Sequence, residues 1–255
     1  THIRKFCWND LTEWTSIFNK INGLTDTDQA FDVELMRQHL MQPTCDPEEN
    51  CFLAESDGSL VGYAQISPEP PIGRAVANGG VMESHRGDGI GRVLLKTVVQ
   101  HATALGASII HIQISSGSNT AKHLLENDGF RSVRKYSNLR WHGTQAPEPE
   151  LHGGFGIRSF RAGNDEEALT WLQNAVFSKN WGFCPNSVAD IESRLGFKTC
   201  DPEGVIFVTE GDRLASYVWT LRSKRATSST GWISMTGVHP NSRSLGLGKS
   251  VVLSG

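Results

Sequence analysis

The sequence predicts one α/β domain used twice, and three observations carry that prediction. Four short segments recur in the same order, with offsets of 154 to 157 residues. Ile3-Arg4-Lys5-Phe6 returns as Ile157-Arg158-Ser159-Phe160, and Cys45-Asp46-Pro47-Glu48 as Cys200-Asp201-Pro202-Glu203. Leu60-Val61-Gly62-Tyr63 returns as Leu214-Ala215-Ser216-Tyr217, and Arg86-Gly87-Asp88-Gly89-Ile90-Gly91 as Arg243-Ser244-Leu245-Gly246-Leu247-Gly248. Within each copy, apolar runs of strand length alternate with segments of helical periodicity. The chain of 255 residues also suits two small domains at ~100–200 residues each. A period this long excludes a solenoid.

Each copy opens with a short strand, at 2–6 and 156–160. Helices follow at 11–21 and 31–41 in the first copy, and at 166–177 and 188–195 in the second. Trp14, Ile17, Phe18 and Ile21 recur at helical spacing. A hairpin comes next. Strands at 52–55 and 60–66 flank the turn residues Ser56-Asp57-Gly58-Ser59, and strands at 205–209 and 214–221 flank Glu210-Gly211-Asp212-Arg213. A further strand ends at Val81 in one copy and Val238 in the other, then a glycine-rich loop leads into a helix. In the first copy that helix spans about 90–105, with Ile90, Leu94, Val98 and Ala102 on one stripe. A strand at 109–114 and a short helix at 120–127 complete it, with Gly129 as a C-terminal stop.

The boundaries follow from composition. Thr144-Gln145-Ala146-Pro147-Glu148-Pro149-Glu150 has no apolar periodicity, and its prolines hold it extended. We expect a complete first domain at 1–143, a linker at 144–153 and a second domain at 154–255. The first copy continues for 50 residues after Gly91 and the second for 7 after Gly248. The second is therefore expected to lack its C-terminal strands.

Composition narrows the function classes. Hydrophobic residues are 38% of the chain and net charge is −3, so a general nucleic-acid binder, with its basic excess, is not expected. No apolar run is long enough to span a membrane, and the first residues lead into no signal core. The five cysteines are odd in number and form no C-x-x-C pair, which fits free thiols in the cytoplasm. The histidines lack metal-ligand spacing, so no metal site is expected. Trp181 and Trp219 are candidates for a pocket wall, against the alternative of core packing.

The chemistry is expected at the loop. A strand, then Arg-x-x-Gly-x-Gly, then an amphipathic helix is an arrangement for holding phosphate. The first helical turn has unpaired N–H groups at the positive end of the dipole. Glycines let the backbone approach an anion and form a nest of N–H groups around it. The pattern from Val81 through Arg86 and Gly89 to Gly91 matches that from Val238 through Arg243 and Gly246 to Gly248, position for position.

On these residues the chain resembles a tandem GNAT N-acyltransferase of the mycothiol synthase-like, duplicated type. Val238 to Lys249 is very similar to the family's acyl-CoA pyrophosphate motif. The helix at Ala121 to Leu124, ending in Gly129-Phe130, resembles a later family segment. The resemblance implies a mixed, mostly antiparallel sheet with helices on both faces of each domain. It implies an acetyl-CoA-dependent (or other acyl-CoA-dependent) transfer to the amine of a small molecule by direct attack. For the first copy it implies backbone contacts from Val81 and Met82 and diphosphate contacts from Arg86, Gly87, Asp88, Gly89, Ile90, Gly91 and Arg92. Ser118 or Asn119 would lie near the pantetheine arm. In the second copy Val238, Arg243, Gly246 and Gly248 would play the matching parts.

The departures bear on catalysis. The family often places a tyrosine four residues before the Gly-Phe pair as general acid, and here that position is Leu125. The strand at 74–81 carries no glutamate to serve as base. Glu83, His85 and Tyr136 are the remaining candidates, and for Glu83 and His85 the competing reading is a solvated side chain beside a phosphate loop. Two rival functions stand. The duplicated fold could be an acyl-CoA-binding module that is catalytically silent. Alternatively, Gly248-Lys249-Ser250 has the ending of a nucleotide-binding P-loop. That motif needs a glycine where Arg243 stands, and the first copy has no Lys-Ser.

Overall fold

A computed structural model describes the chain except residues 26, 28, 144, 152 and 223–229. It contains two compact units, Thr1–Arg140 and Trp141–Gly255. The linker expected at 144–153 includes Thr144 and His152, which lie outside the described residues.

In the first unit β1 (His2–Lys5), β2 (Cys51–Ser56), β3 (Ser59–Glu69), β4 (Arg74–Val81) and β5 (Ile109–Ile112) form one sheet in that order. All pairings are antiparallel except β4–β5, which is parallel. Both faces of this sheet are covered, so β2 is apolar at successive positions rather than alternately. Phe52 and Ala54 pack towards α4 (Ile90–Ala104), with Val61, Ile66, Ala75, Ala77 and Val81. Cys51 and Leu53 pack on the other side with Leu60 and Tyr63, against α1 (Leu11–Ile21) and α2 (Val33–Leu40). The expected stripe Ile90, Leu94, Val98, Ala102 is the buried face of α4.

Local chemistry sets the element ends. The β2–β3 hairpin turns at Asp57 and Gly58, with φ of +51° and +76°, the positive pair that a two-residue turn needs to match strand twist. The side chain of Asp32 accepts the amide of Leu35 at 2.8 Å and so caps α2. One short helix was not anticipated. Asp46 caps α3 (Pro47–Asn50), with Pro47 at its first position. A last helix, α5 (Asn119–Asn127), closes the regular part of the unit, and residues 131–140 form no helix or strand.

The second unit repeats the plan. Its sheet runs β6 (Phe155–Ser159), β7 (Cys200–Glu210), β8 (Arg213–Arg222), β9 (Gly231–Val238), all antiparallel. α6 (Glu166–Phe177) and α7 (Val188–Leu195) cover one face through Leu169, Leu172, Val176 and Ile191, which meet Val205, Phe207, Tyr217 and Trp219. α8 (Leu247–Ser254) covers the other through Leu247 and Val251, against Val208, Ala215 and Val218. The first hairpin bulges at Ala54/Glu55 and the second at Val208/Thr209, equivalent points of the two copies.

The Cys-Asp-Pro-Glu repeat does not keep its structure. After Cys45 it starts a helix; after Cys200 it lies inside β7. Cys51, the residue facing Gln65 on β3, lies six positions after Cys45. Val205, which faces Trp219 on β8, lies five positions after Cys200. The shorter segment has Gly204 where a helical turn would end, and a Cβ there would sit 2.4 Å from Thr220 Oγ1. No helix among the described residues is long and apolar enough to cross a membrane.

Candidate functional site: two strand–loop–helix anion cradles

The motif strand of each copy ends with its carbonyl clasped by the motif arginine. Arg86 Nε donates to Val81 O at 3.2 Å, and Arg243 Nε donates to Val238 O at 3.3 Å. Arg243 Nη2 also donates to Val176 O at 3.0 Å, at the end of α6. The conserved spacing of arginine and strand therefore closes the loop on itself. The next residue is anchored to the bulge. Met82 N donates to Val61 O at 2.8 Å, and His239 N to Ala215 O at 2.8 Å. A single helical turn follows in each copy, Glu83–His85 and Pro240–Ser242.

The loop then passes twice through left-handed backbone. In the first copy these residues are Gly87 (φ +96°) and Gly89 (φ +79°). In the second they are Ser244 (φ +66°) and Gly246 (φ +77°). Gly89 and Gly246 are the residues before α4 and α8, and neither helix start has a side-chain cap. Among the described residues, the N–H groups of Gly87, Asp88, Gly89, Ile90 and Gly91 have no partner. The same holds for Ser244 to Gly248. Each loop thus presents five consecutive free donors at a helix start, a fit for a diphosphate.

The flank of the first loop is built by α5 and β5. A Cβ on Gly91 would touch Leu124 Cδ2 at 3.4 Å, so α5 lies close against the start of α4. Arg92 pairs with Asp128 at 3.7 Å, which uses that guanidinium on the protein itself. The β4–β5 ladder stops early. Its last bond is Gln113 N to Ala77 O at 3.1 Å, and β4 then runs on through Asn78, Gly79, Gly80 and Val81, paired with β3 but, among the described residues, with no strand on its β5 side. The two strands therefore part next to the loop, at Val81 and Met82. Asn78, the first residue past the ladder, holds a buried Oδ1 without a partner. Sequence reasoning passed over it; an amide in a stretch, 75–81, otherwise built of Ala, Val and Gly was the available signal. In the second unit β9 has no strand on that side among the described residues.

The catalytic candidates are not gathered together. Glu83 is exposed. The imidazole of His85 lies 2.8 Å from Ser84 Oγ through Nδ1. Tyr136 is exposed on the irregular segment, its ring under the guanidinium of Arg134. Leu125 is half-buried on α5, and its carbonyl accepts the amide of Phe130 at 2.9 Å. Asn119 opens α5, with its amide bonded to Gly117 O. Of the two tryptophans, Trp219 is core and Trp181 is 44% exposed. The second copy has an aromatic feature absent from the first. His239, just after the motif strand, stacks on the exposed ring of Trp171 at 5.0 Å and 18°. Burial, then Arg213 and Arg243, push its pKa down.

The fold and the paired cradles define an acetyltransferase-type scaffold, and comparison with known proteins agrees. The profile of the acetyltransferase (GNAT) family matches residues 8–130. The mycothiol acetyltransferase of Stackebrandtia nassauensis is 30% identical over 214 residues, covering 82% of this chain and 69% of that protein. The mycothiol acetyltransferase of Streptomyces bingchenggensis is 31% identical over 206 residues, covering 79% of this chain. The chain covers 65% of the length of that relative. A crystal structure of a GCN5-related N-acetyltransferase from Sphaerobacter thermophilus superposes over 99% of this chain and 80% of its own, with a TM-score of 0.73 at 20% identity, which is a likeness of fold. The chain belongs to the GNAT acetyltransferase family, in its tandem form.

Proposed function

We propose that the protein transfers an acyl group from acyl-CoA, acetyl-CoA first among them, to the amine of a small molecule. The observation that supports this most is the row of five free N–H groups at a helix start, placed where β4 and β5 part. The cofactor supplies the activated acyl thioester. The chain's own residues do the rest. The donors from Gly87 to Gly91 hold the diphosphate, and Arg86 keeps the loop in shape by holding Val81 O. The gap beyond Ala77 admits the pantetheine arm, with Val81 and Met82 on one side and Asn119 near the other. Asn78 Oδ1 offers an acceptor there for an amide N–H. The relatives named mycothiol acetyltransferase make a mycothiol-related amine the first acceptor to test. Acyl-CoA-dependent product formation against a panel of amines, followed by mass spectrometry, tests the reading. Acylated product from one or more of them supports it, and no product from any of them contradicts it.

A second reading concerns the first copy alone. Leu125 cannot donate a proton, and a positioned acid or base contributes ~10²–10⁴-fold. We infer that the first copy binds acyl-CoA without much turnover, and that the second copy carries the chemistry in the whole protein. There Gly246→Glu is expected to lower acyl transfer by ~10²-fold or more, while Gly89→Glu leaves most of it. Loss with Gly89→Glu alone reverses the assignment. Leu125→Tyr should leave CoA affinity unchanged and raise any turnover by the first copy.

A further inference from the structure

The repeated Cys-Asp-Pro-Glu segment is not among the residues proposed to hold acyl-CoA, and the two copies surround its cysteine differently. In the first copy Cys45 is half-buried against the cluster that contains the buried Cys51. Gln65 faces Cys51 across the β2–β3 ladder, and its Nε2 donates to Cys45 Sγ at 3.7 Å. The two thiols are close enough to shift each other's ionisation. Cys45, Cys51 and Gln65 thus form one sulfur–amide cluster at the start of β2. In the second copy Val205 takes the place of Cys51 and Trp219 that of Gln65. There the indole Nε1 donates to Cys200 Sγ at 3.3 Å. One copy has a dithiol, and the other has a single thiol under a tryptophan.

We propose that Cys45 and Cys51 are a redox-reactive pair that hydrogen peroxide converts to an intramolecular disulfide. The Cys45 thiolate attacks one peroxide oxygen, the O–O bond breaks, and the departing hydroxide takes a proton and leaves as water. Cys45 is then a sulfenic acid. The Cys51 sulfur attacks Cys45 Sγ and gives up its proton, the S–O bond breaks, and a second water leaves. Two thiols and one peroxide become one disulfide and two waters.

The surroundings divide the roles. Cys45 is the partly accessible sulfur, and hydrogen bonds from Cys51 and then Gln65 lower its pKa despite burial and Asp46. The Cys51 thiol is pushed well up, by its hydrogen bond to Cys45 and by burial, so it serves to resolve and not to attack. Elsewhere in the chain, the exposed Cys7 donates through Sγ to the Asp10 carboxylate at 3.2 Å.

The test is peroxide titration of the whole chain with one equivalent of hydrogen peroxide, read by intact mass and peptide mapping. The proposal expects loss of two hydrogens and a Cys45–Cys51 linked peptide that dithiothreitol reverses. In Cys51→Ala, dimedone should trap a sulfenic acid at Cys45. In Cys45→Ser, Cys51 should stay reduced. The linked peptide in the unmodified chain decides the matter if either variant fails to fold. Oxidation at Cys7 or Cys184 with Cys45 and Cys51 both left reduced would overturn the proposal, as would oxidation of Cys51 in Cys45→Ser.

Discussion

The two copies put the same loop beside different neighbours. In the first, the loop passes through Gly87 and Gly89 and stands next to a gap between β4 and β5. In the second, it passes through Ser244 and Gly246, and β9 has no neighbour on that side among the described residues. The shared part shows what makes the cradle. A serine holds left-handed backbone at about 1 kcal/mol or more of strain, yet the loop keeps its course. The shape therefore comes from three restraints common to both copies: the arginine on the strand-end carbonyl, the amide bonded back to the bulge, and one glycine before the helix. On the proposed function, the unshared part is the second wall that would border the pantetheine arm.

The largest effect that sharpens this contrast is one of stability. Gly79 is squeezed on β4: a Cβ there would lie 2.5 Å from Tyr63 O, a backbone atom that cannot turn away. Its counterpart is Thr236, whose Oγ1 donates to Tyr217 O at 3.0 Å. Gly79→Ala should cost the first unit about 3 kcal/mol or more. Thr236→Ala should cost the second only about 1 kcal/mol, the net worth of one hydrogen bond. Chemical denaturation of each variant measures both. Equal losses would mean that the two motif strands are packed alike.

A second comparison uses acid. Arg4 grips Asp10 through two 2.8 Å bonds, and Arg158 grips the matching Asp165, which Arg161 also bonds through its side chain and amide. Hydrogen bonds from Arg4 hold Asp10 down at about 2. Burial pushes Asp165 up, but bonds from Arg158 and Arg161 outweigh it and hold this carboxyl too at about 2. A lowered carboxylate stabilises the fold fully above its unfolded value near 3.8, and this contribution is lost as pH falls towards 2. Each clamp contributes about 2 kcal/mol at neutral pH. Both units should therefore lose stability between roughly pH 4 and pH 2. Asp165→Asn should cost more than Asp10→Asn, because it leaves two arginines without their partner. A pH series of melting curves reads this, and a flat profile below pH 4 contradicts it.

Much of this was legible in the sequence. The repeat placed both cradles, because the pattern from Val81 to Gly91 and from Val238 to Gly248 is set by backbone needs that few residue types meet. The hairpins were legible through Asp57-Gly58 and Gly211 for the same reason. The Cys-Asp-Pro-Glu repeat was misleading as a structural marker. One residue fewer before the next strand, and Gly204 packed against Thr220, turn a helix into a strand. The arginine's work could not be read from composition either. Its partner is a carbonyl five residues back, and only the loop's curvature brings the two together. Leu125 was visible as a missing acid; Asn78 stood out only as an amide in an otherwise apolar stretch, and that its oxygen stays buried and unpaired depends on where the β4–β5 ladder ends.

A smaller effect probes the strain in the second loop. Ser244→Gly relieves a left-handed serine, and should stabilise the second unit by about 1 kcal/mol or less, since glycine also loosens the unfolded chain. Gly87→Ser places the same strain on the first loop and should cost a similar amount. If both changes leave stability untouched, the two loops do not hold φ as described.

The central claim is that a two-walled cradle binds acyl-CoA and a one-walled cradle does not bind it tightly. Calorimetric titration of this chain with CoA tests it most directly, run beside Gly89→Glu and Gly246→Glu. Each substitution puts a bulky carboxylate on left-handed backbone among the free N–H groups. The account predicts one tight site per chain, lost in Gly89→Glu and kept in Gly246→Glu. Two equal tight sites, or a single site lost only in Gly246→Glu, would contradict it.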